Sequence, residues 1–351
     1  MPDAAIRFEP ATGADDADLR ALVRATPMPG AVSLVQTREP SFFAADAALG
    51  EHVETLVARE APGGPPLALL QRAERPVWLG GHVRRAAYLG GLRVHPAHRG
   101  RGIARRGWAA VGAWHEARPA DLTLAALTAE SHAAGRVFVE RPGAPGAFAR
   151  FRPVADLVTL ALPVRRLVRQ AGARPGVEAG RATAAPDPRD LAPAGPLALP
   201  GLAGADCLTA MRGGETVGSV SVWDPAAVRQ TLVAGYSGAL RWTRPLANAA
   251  ARALGMRPLP ARGEALRSAF ATGLWAADAP ALDALLDAAL ARCRVRGAAF
   301  LLVGFDAADP LARHARRRIH VPYRSTLHAL VWPGERTPAV RRPVHAEIAT
   351  Y

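Results

Sequence analysis

The chain has 351 residues, carries 44 Lys and Arg against 30 Asp and Glu for a formal charge of +14, and is half hydrophobic. Its length accommodates two domains with cores of their own, since a domain takes roughly 100 to 200 residues. No apolar run reaches the roughly 18 residues of a membrane span, and Met-Pro-Asp-Ala-Ala-Ile-Arg at the start lacks the basic opening and apolar core of a secretory signal, so a cytoplasmic protein is expected.

Every one of the 44 cations is arginine, and arginines run along the whole chain with short clusters at Arg165, Arg166 and Arg169 and at Arg316, Arg317 and Arg318. A nucleic-acid binder gathers its cations into one stripe among stacking aromatics, so nucleic acid is not the expected partner. The positive field suits a small anionic ligand. Cys207 and Cys293 stand far apart with no Cys-x-x-Cys pair, which fits a reducing compartment and gives no disulfide framework. His95 and His98 have the spacing of metal ligands but no accompanying carboxylate or thiolate, so no metal is expected.

In chain order, Ile6 to Phe8 reads as a short strand, and Asp15 and Asp16 open a helix through Leu19 and Val23. Residues 31–50 read as a second, less regular helical segment. Strands follow at about His52 to Arg59, Leu67 to Arg72 and Ala87 to Val94, with His82 in the turn before the last. A helix is predicted from about Gly102, because Ile103, Gly107, Val111 and Trp114 share one face while Arg105, Arg106 and His115 point elsewhere. Leu122 to Thr128 is the next strand, Ser131 to Glu140 the next helix, and a pair of strands near Ala147 to Pro163 completes the unit.

The stretch Val-His-Pro-Ala-His-Arg-Gly-Arg-Gly-Ile-Ala at residues 94–104 lies between a strand and a helix. A helix entered this way leaves its first N–H groups without intrahelical partners at the positive end of the dipole, and such an end binds phosphate. Gly102 lets a diphosphate approach the amides closely, and Arg99 and Arg101 add charge. An Arg- and Gly-rich composition also yields such a loop by itself; the flanking strand and helix weigh against that reading. Leu89-Gly90-Gly91-Leu92 places glycines inside an apolar strand, which marks a bulge or a close approach by a ligand.

Arg99, Gly102 and Ala104 fit the pattern Gln/Arg-x-x-Gly-x-Gly/Ala, and the loop resembles the acetyl-CoA pyrophosphate loop of the GNAT N-acetyltransferase superfamily. The resemblance implies an α/β (α+β) fold with a mixed, mostly antiparallel twisted sheet flanked by helices. It implies acetyl-CoA as cosubstrate, held by Arg99, Gly100, Arg101, Gly102, Ile103 and Ala104 at the diphosphate and by main-chain groups of Leu92, Arg93 and Val94 along the pantetheine arm. Segment 31–50 would line the acceptor site, and the acceptor would be a primary amine on a small molecule or a protein.

Many relatives carry an Asn facing the cofactor on the helix after the fifth strand, and seven residues later a Tyr that protonates the departing thiolate. Ser131 and Phe138 stand at those positions, and Phe138 has no proton to give. Ser131, Tyr88 or water would serve instead, or the domain binds acyl-CoA without turnover, a non-catalytic or regulatory alternative. Tyr88 is either a site residue or a strand aromatic in the core. Glu130 is either a general base or the neighbour of a helix cap.

After a linker at 165–176, the opening of the chain is echoed: Ala-Thr-Gly-Ala and Asp-Leu near residues 11–19 match Ala-Thr-Ala-Ala and Asp-Leu near 182–191. Phe151 to Pro163 likewise resembles Val321 to Pro333. Two tandem GNAT-like domains, 1–164 and 177–351, account for both echoes. In the second, strands at Thr216 to Trp223, Leu266 to Trp275 and Phe300 to Phe305 and helices at Leu282 to Cys293 and Pro310 to Arg318 are expected. No glycine loop opens its helix, and Asp278 stands there as a cap. An insertion at 224–263 shows helical spacing through Val228, Leu232 and Leu240; it either packs between the domains or covers the first domain's acceptor pocket, with Tyr236, Arg241, Trp242 and Arg244 as recognition groups.

Overall fold

A computed structural model describes residues 6–128, 149–165, 189–194, 201, 206–336 and 338–350, and the backbone of 178–180. The N-terminal half supplies strands β1 (Arg7–Pro10), β2 (Val32–Thr37), β3 (His52–Arg59), β4 (Ala68–Leu79), β5 (His82–Val94), β6 (Leu122–Thr128) and β7 (Arg150–Pro163), with helices α1 (Asp16–Arg24) and α2 (Ile103–Ala117). The C-terminal half supplies β8 (Glu178–Gly180), β9 (Asp206–Arg212), β10 (Glu215–Trp223), β11 (Gln230–Tyr236), β12 (Ser268–Ala276), β13 (Phe300–Asp306) and β14 (Val321–Val331). Its helices are α3 (Leu240–Ala253), α4 (Ala279–Val295) and α5 (Pro310–Ala315).

Twelve of the described strands form one mixed, mostly antiparallel sheet in the order β1-β3-β4-β5-β6-β14-β7-β13-β12-β10-β9-β8. The last strand of each half is exchanged. β14 lies between β6 and β7, pairing Ser325↔Thr128 through Leu330↔Thr123 on one side and Val321↔Ala161 through Val331↔Arg150 on the other. β7 in turn pairs with β13 of the C-terminal half, from Phe300↔Pro163 to Asp306↔Leu157. The expected strand pair near Ala147 to Pro163 is therefore one strand, whose partner arrives from some 170 residues downstream.

Three further expectations are corrected. Segment 31–50 is strand β2 followed by a short 3-10 helix, Phe43–Ala48; Phe42, Ala45 and Ala48 are buried, which gives it the spacing of a helix without the length. The insertion begins as a strand: β11 pairs antiparallel with β2 in a separate ribbon from Gln230↔Thr37 to Tyr236↔Val32, and only α3 beyond it is helical. Long-range pairing overrides the Val228, Leu232, Leu240 spacing there. His82 is the first residue of β5 and pairs with Leu79 across a two-residue turn, so β4 and β5 form a long hairpin. The helix expected at Ser131 to Glu140 lies outside the described residues.

α2 packs Trp108 and Val111 on Leu56, Leu89, Ala125 and Leu330, each large side chain contributing about 1.5–3 kcal/mol by burial. Its C-terminal end is tied to the sheet, since buried Arg72 donates from Nη2 to the Arg118 carbonyl (2.6 Å) and ion-pairs with buried Glu74, which also takes Arg118 Nε at 2.7 Å. Those two guanidiniums hold the Glu74 carboxyl below its ordinary range against the opposing effect of burial. α1 packs Leu19, Leu22 and Val23 with Phe42, Val57 and Leu69. α4 covers β10, β12 and β13 through Leu282, Leu285, Leu286 and Ala289, all fully buried.

The segment after β14 crosses the sheet on the side away from α2. Val344 and Ala346 join Val77, Ala86, Leu122, Leu124 and Leu157 in one core. Asp306, fully buried, holds this segment by accepting from Arg342 Nε (3.0 Å), Arg342 Nη2 (2.5 Å) and the Val344 amide (3.0 Å). Removing a buried, paired carboxylate costs roughly 3–5 kcal/mol. Asp306→Ala is accordingly expected to lower the unfolding free energy by about 3 kcal/mol in a urea titration, with residues 340–350 the first cut in limited proteolysis.

Candidate functional site

β5 and β6 run parallel but pair only at Ala86↔Leu122, Ala87↔Thr123 and Tyr88↔Leu124. Beyond that point both strands continue, to Val94 and Thr128, without pairing, so a V opens between them. Its cause is on the other edge of β5. There the register with β4 slips between Leu69↔Arg93 and Gln71↔Gly90, which leaves Gly91 and Leu92 as a bulge opposite Leu70. Gly91 has φ +68°, a conformation that costs an L side chain strain. A bulge bends its strand and sharpens the twist, and here it carries β5 away from β6.

β5 then leads through His95 to Arg101 into α2. Gly102, at φ +68°, is the N-cap and offers no capping side chain. The first helical bond is Arg106 N–H to the Gly102 carbonyl (2.9 Å), so the amides of Ile103, Ala104 and Arg105 precede it. Nothing lies within 4 Å of where a Cβ on Gly100 or Gly102 would stand. Arg99, Arg105 and Arg106 are exposed around this end, whereas Arg101 is engaged by Glu60 (2.6 Å) and His98 (2.9 Å). Among the described residues the helix end is thus open, positively charged and without a side-chain cap.

Residues of the V divide between the two faces of the sheet. Val94 packs with Ile103 on the α2 side. Arg93 pairs with Leu69, which belongs to the α1 cluster, and so faces the other way. Tyr88 also faces away from α2, within the core that holds Leu124 and Val344, at 7% exposure. Its ring lies along the strand at Gly90, where any Cβ would strike it. Leu92 to Ala104 run without a break from the V to the first turn of α2. Glu130, Ser131 and Phe138 lie outside the described residues.

On the α1 side the structure adds groups the sequence did not single out. Gln71 reaches the bulge, its Oε1 3.5 Å from the position of a Gly91 Cβ, and it bonds Asp46 (3.1 Å) and Thr55 (3.1 Å). Arg38 donates to Gln71, to Asp46 (3.2 Å) and to the Phe42 carbonyl (3.2 Å), with its guanidinium 4.4 Å from the Phe42 ring centroid. Burial pulls the Arg38 pKa down to about 10 in spite of Asp46, and Arg93 adds to the depression. Burial likewise lowers Arg93 and raises the Asp46 carboxyl. Arg229, preceding β11, completes the group from the C-terminal half. No local signal marks Arg38 or Arg229 in the sequence; the β2–β11 register brings them together.

The C-terminal half repeats the geometry with a different outcome. β12 and β13 pair in parallel only from Ser268↔Phe300 to Ala271↔Val303, and Gly273 (φ +57°) and Leu274 bulge opposite Val220. That V is filled by the chain itself: Glu347 Oε2 accepts the Gly273 amide at 2.7 Å, and Ile348 packs where a Cβ on Gly304 would stand. Asp278 caps α4 as expected, accepting from Ala281 N (2.9 Å) and pairing with Arg212 (2.8 Å).

The Acetyltransferase (GNAT) family matches the chain over residues 36–143, the segment that contains the V and its loop. This segment is a GNAT-family domain. No curated protein matches the chain in sequence. Among solved structures, a GCN5-related N-acetyltransferase from Sphaerobacter thermophilus aligns at TM-score 0.52 and 18% identity, covering 97% of this chain and 100% of that one. A tandem GNAT protein from the clavulanic acid biosynthesis pathway aligns at TM-score 0.55 and 14% identity over 94% and 100%. Saccharomyces cerevisiae N-myristoyltransferase with bound myristoyl-CoA aligns at TM-score 0.59 and 9% identity over 96% and 85%. At such identities the likeness is one of fold.

The GNAT match supports acyltransferase activity drawing on an acyl-CoA. Among the described residues no group of three His, Cys, Asp or Glu side chains could hold a metal ion, and no helix is long and apolar enough to cross a membrane. The bulge that opens the GNAT domain's V can be probed directly. Gly91→Val forces a β-branched residue into positive φ at a cost of about 1–3 kcal/mol, and is expected to lower the melting temperature and to speed amide exchange from Leu89 to Val94.

Proposed function

We propose that the protein is an acetyl-CoA-dependent N-acetyltransferase whose N-terminal half, 1–164, carries out the transfer to a primary amine. The observation that carries this reading is the continuity of the open V with the uncapped α2 N-terminus. One edge of β5, free of β6 beyond Tyr88, leads straight to three helix amides among exposed arginines. That arrangement fits a long ligand with a diphosphate in its middle. Arg99 to Ala104 would hold the diphosphate through backbone N–H groups and charge. Leu92, Arg93 and Val94 would bond the pantetheine arm through their main chain, as an added strand does.

Acetyl-CoA supplies an activated thioester carbonyl when bound. The remaining work falls to this chain: a strand N–H in the V polarises the carbonyl oxygen, and the fold holds the amine close to the carbon it attacks. A base takes the amine proton and an acid returns one to the departing sulfur. Glu130, two residues beyond β6 in sequence, is the proposed base. Tyr88 is the proposed acid, supported by a ring that runs along β5 beside Gly90 on the face away from α2. Ser131 is assigned to the cofactor side. The expected setting is the cytoplasm, with the C-terminal half, 177–351, shaping the acceptor side.

Acetyl-CoA is expected to raise the melting temperature of the wild type. Gly102→Glu, which places a carboxylate at the helix end, should abolish that shift while the protein remains folded, and Arg99→Gln should weaken it. No shift in the wild type would end the proposal. Binding without CoA release above background hydrolysis, across a broad amine panel in a thiol assay, would leave the non-catalytic acyl-CoA-binding alternative.

A further inference from the structure

Arg229 is the most unusual charged residue among those described. Its guanidinium lies 5.1 Å from the ring centroid of Trp223 and 5.0 Å from that of Phe270. Its Nη2 is enclosed and, among the described residues, has no hydrogen-bond partner. A buried cationic donor left this way is destabilising unless something satisfies it. Burial brings its pKa down to about 10, with the charge of Arg38 contributing.

The position of Arg229 is fixed. The pair Gln230↔Thr37 ends the β2–β11 ribbon, so the next residues outward are Arg229 and Arg38. The Gln230 amide clamps that end: Oε1 accepts from Thr37 Oγ1 (2.9 Å) and Glu39 N (3.0 Å), while Nε2 donates to the carbonyls of Glu39 (2.9 Å) and Ala226 (2.8 Å). Arg38 then reaches Gln71, and Gln71 reaches the bulge at Gly91. Arg93, on the same face, is close enough to Arg38 to repel it. Three guanidiniums thus gather beside the V, and among the described residues their only carboxylate ion pair is Arg38 with Asp46.

These arginines are not the ones that meet a diphosphate at the α2 N-terminus, because they lie on the α1 side of the sheet. The GNAT resemblance implies that segment 31–50, which carries Arg38, lines the acceptor site. A planar guanidinium held against two rings presents its N–H edge to a carboxylate or phosphate in a bidentate manner. Resting on the acyl-transfer reading above, we propose that the acceptor is a small amine that also carries an anionic group, carboxylate or phosphate, and that Arg229 from the C-terminal half binds that anion beside the V of the N-terminal half. Arg38 and Arg93 supply the surrounding positive field.

The experiment uses the full chain with acetyl-CoA and amines in matched pairs: β-alanine against β-alaninamide, and aminoethyl phosphate against ethanolamine. The anionic member of at least one pair should show kcat/KM higher by about tenfold or more, and which pair responds distinguishes carboxylate from phosphate. Arg229→Gln should remove that preference chiefly through KM and leave the uncharged amines unchanged; Arg229→Lys should restore part of it. Preference for the uncharged amines, or an equal loss for both classes in Arg229→Gln, would overturn the proposal while acetyl transfer stands.

Should no amine be turned over, the anion site is still read by melting temperature. The anionic amines should stabilise the wild type and not Arg229→Gln, and equal stabilisation of both, or of neither, overturns it. Acetyl-CoA binding by the variants reports that they are folded.

Discussion

The antiparallel pairing of β7 with β14 is the interaction on which the rest of the molecule depends. Each strand belongs by sequence to one half and completes the sheet of the other, so their eleven registered pairs form the seam through which β6 and β13 are joined. Leu157, Leu160, Leu162, Leu327 and Ala329 on these strands are at most 2% exposed and belong to the cores on both sides. Neither half has a closed core without the other's strand. The two are therefore bound to unfold together, and β6, one wall of the V, is braced by β14 from the far end of the chain.

What the sequence disclosed follows from the range of the forces involved. The loop at 94–104, the strand before it and the helix after it are set by glycine placement and by apolar spacing within a few turns, and each stands where those signals put it. Asp278 as a helix cap is equally local. The exchange of β7 and β14 is not local, and nothing in Phe151 to Pro163 says which strand will lie beside it; its likeness to Val321 to Pro333 pointed to duplication but not to adjacency. β2 and β11 fail for the same reason, each being a strand only because the other exists. One signal went unread: Gly91-Leu92 and Gly273-Leu274 are the bulged pairs of the two halves, and the repeated Gly-Leu marks equivalent points in strands otherwise different in sequence.

The two Vs show how one backbone device serves opposite ends. A bulge with glycine at positive φ marks the point where the central strand splays from its parallel neighbour in both halves. In the C-terminal half the carboxylate of Glu347, 1% exposed, takes the Gly273 amide, and the helix that follows is capped by Asp278. The Gly273 amide at the splay and the Ala281 amide at the helix start are thus both met by the chain's own carboxylates. In the N-terminal half β5 has no pairing with β6 beyond Tyr88 among the described residues, and the helix end has glycine in place of a capping side chain. The contrast depends on two local choices, a carboxylate or glycine at the helix start and, among the described residues, a tail in one splay and none in the other, set on a common sheet.

The closed half is not thereby idle. β10 and β12 carry Trp223 and Phe270, whose rings form the platform under Arg229, and the buried Ala349 of the C-terminal segment joins Trp223 and Ala48 in a cluster that bridges the halves. A guanidinium placed by a flexibly tethered domain would wander by several ångströms and lose its geometric advantage over free solution. Through the exchanged strands, that platform is part of the same sheet as the V it adjoins. The ribbon of β2 and β11 then fixes the distance between the two halves at the very residues, Thr37 and Gln230, that precede Arg38 and follow Arg229. Strand exchange thus does more than stabilise: it sets a side chain of one half on the same rigid sheet as the V of the other.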